Sequence, residues 1–245
     1  MIKYYIFVFI IVYIFRYNII YTISNILSIF FCNNSDIDNY RLCNNTYIDN
    51  NDKSGPSISM RCGLLWEGWM YKFIKQYADY NKCALDIGAH IGIHTINLSK
   101  SFKYVYSFEP NSEIFYNLKI NTKNLKNVKI YNNAIGDKEK NVNLIINNIS
   151  THNYVDNTTS NNKNKKINIK QLKLDDIYLP FKVGFIKIDI EGGEINAFKG
   201  MFNLIKNDNP VIVYEDHKGD NTKYLIKTHN YKIKKINATN FIAFK

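Results

Sequence analysis

The stretch "LDIGAHIGIHT", Leu85 to Thr95, decides the fold. The apolar run Cys83–Ile87 reads as a short buried strand. Gly88 and Gly92 mark a turn, and Ile91–Lys100 reads as the helix that follows it. A strand that runs through a glycine-spaced turn into a helix brings backbone close to a ligand.

Working outward, strand and helix alternate. "YVYSFEP" (Tyr104–Pro110) reads as a strand stopped by proline, and Ser112–Thr122 as a helix with Asn111 as its cap. Val128–Asn132 reads as a third strand, Gly184–Ile190 as a buried strand, and Glu194–Ile205 as a helix. Pro210–Glu215 and Thr222–His229 repeat the pair. Such alternation predicts an α/β fold with a doubly wound, mostly parallel sheet covered on both faces. The last two strands flank a tight turn at Asn237–Thr239, too short for a crossover, so the chain closes in an antiparallel hairpin. Asn141–Asn147 alternates as an extra edge strand, "INIKQLKL" resumes as another, and the polar stretch 147–166 between them reads as a surface loop. Upstream, Leu64–Ala78 has the apolar spacing of a helix.

Three ligands suit a glycine turn of this kind. A dinucleotide needs G-x-G-x-x-G, but from Gly88 the second glycine position is His90 and the third Ile93. A triphosphate loop needs G-x-x-x-x-G-K-[ST], and the Gly88–Gly92 pair has neither that spacing nor the lysine. There remain an acid entering the turn, Asp86, and a second acid, Glu109, about 20 residues on at the end of the next strand, where a carboxylate takes both hydroxyls of a ribose. An amine-bearing group plus a ribose, without pyrophosphate, describes S-adenosylmethionine.

The stretches "LDIGAHIGIHT", "SFEPN", "NNAIGD", "KLDDI", "IKIDIEGGEINAFKG" and "VYEDH" together resemble the FkbM-type class I methyltransferases, in that family's order and over about Trp66–His217. The family has Asn where this chain has His90, and a single small residue where Gly192 and Gly193 adjoin. The resemblance implies a seven-stranded Rossmann-like sheet, S-adenosyl-L-methionine as donor, and O-methylation of a hydroxyl on a sugar, glycan or other small molecule. It places Asp86, Gly88, Ala89 and Gly92 along the methionine part of the donor, Glu109 on the ribose, and Pro110, Asn133 and Ala134 about the adenine.

The acceptor belongs at the carboxyl ends of the later strands. In "KIDIEGGE", strand alternation would point Lys187, Asp189 and Glu191 together, and ionisable groups inside an apolar run are costly to bury without purpose. Asp189 or Glu191 is the expected general base, and His217 the next candidate. Asp189, Glu191 and Glu215 are oxygen ligands of the Mg²⁺ type, but no ligand spacing demands a divalent metal.

The 245 residues suffice for one sizeable domain and an appendage. The net charge of +11 comes from scattered lysines in an Asn-, Ile- and Tyr-rich composition, with no stripe suited to nucleic acid. Two rivals to the small-molecule enzyme remain: an RNA 2′-O-methyltransferase, and a non-catalytic protein that keeps the fold. Four cysteines without a CxxC pair point to a reducing, cytoplasmic setting for the domain. Residues 1–32 are strongly apolar, and 4–31 are expected to form a membrane anchor with Arg16 near its middle. Residues 33–57 read as a polar linker, and 58–245 as the methyltransferase domain.

Overall fold

A computed structural model describes residues 19–20, 22–34, 40–43, 46–146, 153–156 and 165–245. The chain forms two compact units, Met1–Glu67 and Gly68–Lys245.

In the first unit, a helix α1 over residues 22–31 precedes three strands, β1 (Cys32–Asn34), β2 (Tyr40–Cys43) and β3 (Thr46–Asp49), paired antiparallel in chain order. Helix α2 (Gly55–Arg61) follows, capped by the Ser54 hydroxyl. The fully buried Arg61 guanidinium donates to the carbonyls of Asp49, Asn50 and Asp52, and so ties the end of α2 to the turn after β3. Within the range 33–57 expected as a polar linker, the described residues include paired strands and carbonyls that accept from Arg61. Cys32 and Cys43 lie opposite each other in the β1–β2 pair, 4.4 Å apart at Cα, and form a disulfide. This corrects the reading of all four cysteines as thiols; Cys62 and Cys83 are free. Of the expected membrane anchor, residues 4–18 and 21 lie outside the described residues. Among the described residues no helix is long and apolar enough to cross a membrane.

The second unit holds the central sheet. Helix α3 (Met70–Gln76) is shorter than the spacing suggested, because turns with Gly63 and Glu67 at positive φ delay its start. Then come β4 (Asp79–Ile87), α4 (Ile93–Ser99), β5 (Phe102–Phe108), α5 (Ser112–Thr122) and β6 (Val128–Tyr131). A short β7 (Ala134–Ile135), β8 (Lys140–Ile146), β9 (Tyr154–Asp156) and β10 (Lys165–Leu172) form a separate four-stranded sheet in the order β7-β10-β8-β9. The segment expected as an extra edge strand, Asn141–Asn147, thus pairs with the strand of "INIKQLKL" in this second sheet. The polar stretch 147–166 lies mostly outside the described residues, but Tyr154–Asp156 within it pairs with β8. The chain returns through β11 (Val183–Ile188), α6 (Glu194–Gly200), α7 (Phe202–Asp208), β12 (Val211–Glu215), α8 (Asp220–His229), β13 (Lys232–Lys235) and β14 (Asn240–Phe244).

The seven-stranded sheet runs β13-β14-β12-β11-β4-β5-β6. β12, β11, β4, β5 and β6 are parallel, and the terminal hairpin is antiparallel. Side-chain alternation splits the apolar strands between two faces. Leu85, Ile87, Phe108, Ile186, Ile188 and Tyr214 pack on one face with Ala197, Phe198, Ile205 and Leu225 of α6, α7 and α8. Ala84, Val105, Phe185 and Val213 pack on the other with Met70, Ile74 and Leu98 of α3 and α4. Both faces are buried, so the strands read as continuous apolar runs.

Candidate active site

The β4–α4 turn is built around the carboxyl end of β5. The amides of Gly88 and Ala89 both donate to the Phe108 carbonyl, at 3.0 Å each. The His90 amide donates to Glu109 Oε2 at 3.0 Å, and the Gly92 amide to the Ala89 carbonyl at 2.9 Å. These donors are spent inside the protein, whereas a phosphate cradle needs them aimed at the ligand. The arrangement thus disfavours a diphosphate on grounds independent of the glycine count. Gly88 takes φ +79, and a Cβ there would lie 1.9 Å from the Asp189 carbonyl oxygen, so glycine is required for the two loops to meet. His90 sits at φ 50, a left-handed position that Asn and His tolerate better than most residues.

Glu109 closes the other side of the turn. Its Oε1 accepts from the Asn111 amide at 2.9 Å while Oε2 holds His90. It is 7% exposed, and burial pushes its carboxyl up to about 7 against the pull of those two amides and of Lys187. Each oxygen keeps a lone pair beyond the amide it accepts, which suits a pair of hydroxyls. Asn132 Nδ2 donates to the carbonyls of Glu109 (2.9 Å) and Pro110 (3.1 Å) and so fixes this turn. Sequence reading passed over Asn132 for its neighbours, whose side chains go elsewhere. Asn133 Nδ2 reaches the Lys170 carbonyl on β10, and Ala134 is buried in the core of the second sheet.

Asp86 is not on the surface of the turn but beneath it. Lys187, Asp86 and Ser107 are register neighbours across β11, β4 and β5. They lie on the face that carries α4, whose Thr95 joins them. Thr95 Oγ1 donates to Asp86 Oδ2 at 2.6 Å and lies 2.9 Å from Ser107 Oγ. The Asp86 side chain is fully buried, and its Oδ1 lies 3.7 Å from Lys187 Nζ.

The residues expected on the acceptor side gather past β11 and β12. β11 ends at Ile188, so strand alternation does not extend to Asp189 and Glu191. Lys187 points inward, whereas the Asp189 side chain is 43% exposed. Glu191 takes φ 54, held there by Glu194, whose Oε1 accepts the amides of Ile190 (3.1 Å) and Gly192 (3.3 Å). Burial, and then the charges of Asp189, Glu215 and Glu194, push the Glu191 carboxyl up to about 7. His217 Nε2 lies 3.2 Å from Glu215 Oε2, but the His217 ring is mostly exposed. Asp216 accepts the amides of Lys218, Gly219 and Thr222 and serves the start of α8. Among the described residues no group of His, Cys, Asp and Glu has the arrangement of a metal site.

These residues fit S-adenosylmethionine: a buried acid with free lone pairs for a ribose, a turn closed to phosphate, and carboxylates beyond it.

An FkbM methyltransferase from Methylobacillus flagellatus superposes with a TM-score of 0.49 at 19% identity, over 67% of this chain and only 44% of that one. An rRNA methylase from Streptococcus thermophilus gives 0.44 at 12% identity, over 71% and 92% of the two chains. A Streptococcus mutans protein solved in complex with SAH gives 0.45 at 13% identity, over 72% and 96%. No curated protein matches the sequence. The FkbM methyltransferase domain matches residues 86–233, more than half of the chain. The chain therefore belongs to the FkbM methyltransferase family, enzymes that take a methyl group from S-adenosylmethionine.

Proposed function

We propose that this methyltransferase acts on a hydroxyl of a neutral, polyhydroxylated small molecule or glycan. The observation that carries this reading is the acidity of the acceptor side. Asp189, Glu194 and Glu215 surround Glu191, and burial first, then their charges, push its carboxyl up to about 7. Carboxylates pair well with sugar hydroxyls and poorly with phosphodiesters, whose charge they repel. An RNA acceptor would bring phosphates into this field, despite the overall surplus of +11.

The donor supplies an electrophilic methyl group on a positively charged sulfur. Glu109 would hold the ribose hydroxyls, and the Gly88–Gly92 turn would exclude water from that side. On the acceptor side Glu191, or Asp189 beside it, takes the proton that the attacking hydroxyl loses as its oxygen gains the methyl carbon. A base with proton affinity near neutrality suits this step, which contributes roughly 10²–10⁴ in rate. His217 is too exposed and too close to Glu215 to be the first choice.

The test is transfer of labelled methyl from S-adenosylmethionine by the full chain to neutral oligosaccharides or to RNA. Label in the sugars supports the proposal. Label in RNA alone, with affinity falling steeply as salt rises, overturns it. No transfer to any acceptor, with no binding at millimolar donor, favours the non-catalytic reading.

The proposal extends to a membrane surface. In α1 the outward positions are Ile23, Ile26, Ile29 and Phe30, while Ser24 and Ser28 are buried. Large apolar residues outside and small polar ones inside is the pattern of a lipid-facing helix, and the apolar run 4–15 precedes it in sequence. The Cys32–Cys43 disulfide favours the oxidising side of that membrane over the cytoplasmic one. Flotation of the full chain with phospholipid vesicles, abolished by Ile26→Lys with Phe30→Lys, supports this; flotation unchanged by those substitutions counts against it.

A further inference from the structure

Lys187 has no part in the chemistry so far, yet it stands between the two halves of the site. It is 6% exposed. Its Nζ donates to the Gly88 carbonyl at 2.6 Å, lies 3.7 Å from Asp86 Oδ1, and lies 4.0 Å from Asp189 Oδ2. Gly88 belongs to the donor turn and Asp189 to the acceptor loop. The same two residues also meet through backbone, since the Asp189 carbonyl occupies the space a Gly88 side chain would need.

The bland reading is that Lys187 merely neutralises Asp86. Two features go beyond it. Lys187 donates a hydrogen bond to a carbonyl of the turn at 2.6 Å, whereas Asp86 Oδ1 lies at 3.7 Å. The ammonium also lies within ion-pair range of a second carboxylate, on the opposite loop. An ammonium presents three N–H groups and adapts to partners in several directions. A buried cation between two loops restrains both: moving the turn leaves the Gly88 carbonyl or the ammonium without its partner in a dry environment, and moving the partly exposed Asp189 removes a nearby compensating charge.

We infer that Lys187 is a positioning residue that couples the donor turn to the acceptor loop, so that donor affinity depends on Asp189 only through the Lys187 ammonium. The inference rests on the reading of Asp189 as an acceptor-side residue, but its test needs no acceptor.

The probe is S-adenosylhomocysteine, titrated calorimetrically into the full chain. It lacks the sulfonium charge, which removes one direct electrostatic hold that Asp189 could have on the ligand, and the cycle itself separates any that remains through the amino group, since a direct contact would survive Lys187→Met. Unfolded protein lowers the fitted stoichiometry, whereas a disordered turn weakens Kd. A double-mutant cycle of Lys187→Met and Asp189→Asn is run in the Asp86→Asn background, which removes the buried acid that Lys187→Met would strand. Relative to Asp86→Asn alone, Lys187→Met is expected to weaken binding about tenfold, Asp189→Asn about threefold, and the combination no more than Lys187→Met alone, a coupling of the size found for residues in one network. Lys187→Arg, which keeps the charge on a planar fork, is expected to restore at most part of the affinity. Additive effects would sink the inference, as would unchanged Kd when Asp86→Asn and Lys187→Met are combined, the sign of a counterion alone. If the acceptor reading fails instead, labelled methyl appears in RNA while this cycle still shows coupling.

Discussion

Glu109 and Glu191 are both acids raised to about 7, on opposite sides of one site, and they reach that value differently. Glu109 is almost wholly buried and held by two backbone amides that favour its charge, and desolvation, joined by the charge of Asp86, outweighs them. Glu191 is only partly buried, and other carboxylates add to the effect. In the proposed mechanism the first would be a receptor pinned before any ligand arrives, and the second a proton acceptor tuned by burial and its neighbours. Equal proton affinity therefore says little about role until the cause is known.

Substitutions can break this pairing. The largest expected effect is on turnover: Glu191→Gln should lower the methyl-transfer rate by roughly 10²–10⁴ while leaving the Kd for S-adenosylhomocysteine within about twofold, measured by label transfer and calorimetry. Gly88→Ala strikes both sides at once, because its methyl meets the Asp189 carbonyl. Overpacking and the positive φ together should cost about 3 kcal/mol or more, read as a lower urea midpoint. Glu109→Ala should weaken S-adenosylhomocysteine roughly 100-fold, the loss of two charge-assisted hydrogen bonds, with little change in the rate at saturating donor.

Proton linkage sharpens the contrast. Glu109 has a folded-state pKa raised from 4.5 to about 7, so the native state binds this proton more tightly than the unfolded chain. Its contribution to stability is complete below about pH 4.5 and is lost as pH rises through about 7. Urea midpoints should therefore fall across that window, and Glu109→Gln should flatten the fall. Turnover follows the opposite course: with Glu191 as base, the rate should rise about tenfold per pH unit and level off above about 7. The smallest effect is expected for His217→Ala, a change in rate under about fivefold, since the ring is 61% exposed.

Much of the donor side was legible in the sequence. Cys83–Ile87, Gly88 and Gly92 gave the strand and turn, "SFEP" gave Glu109, and the short link at Asn237–Thr239 gave the reversed hairpin. Local pattern suffices there because each signal lies within one element. The acceptor side was less legible. Alternation predicted Lys187, Asp189 and Glu191 on one face, but β11 stops at Ile188 and Glu191 turns to φ 54. Asp86 was read as facing the ligand; an acid before a glycine turn does not say which face it takes, and here Thr95 draws it inward. The sheet of β7 to β10 and the pairing of Cys32 with Cys43 depend on partners that no local pattern names.

The bond between Cys32 and Cys43 has a mechanical consequence. Cys32 directly follows α1, so tension on the N-terminal helix passes through sulfur into β2 and bypasses residues 33–42. A protease that nicks that bypassed segment would leave two fragments travelling as one on a gel until a reductant is added.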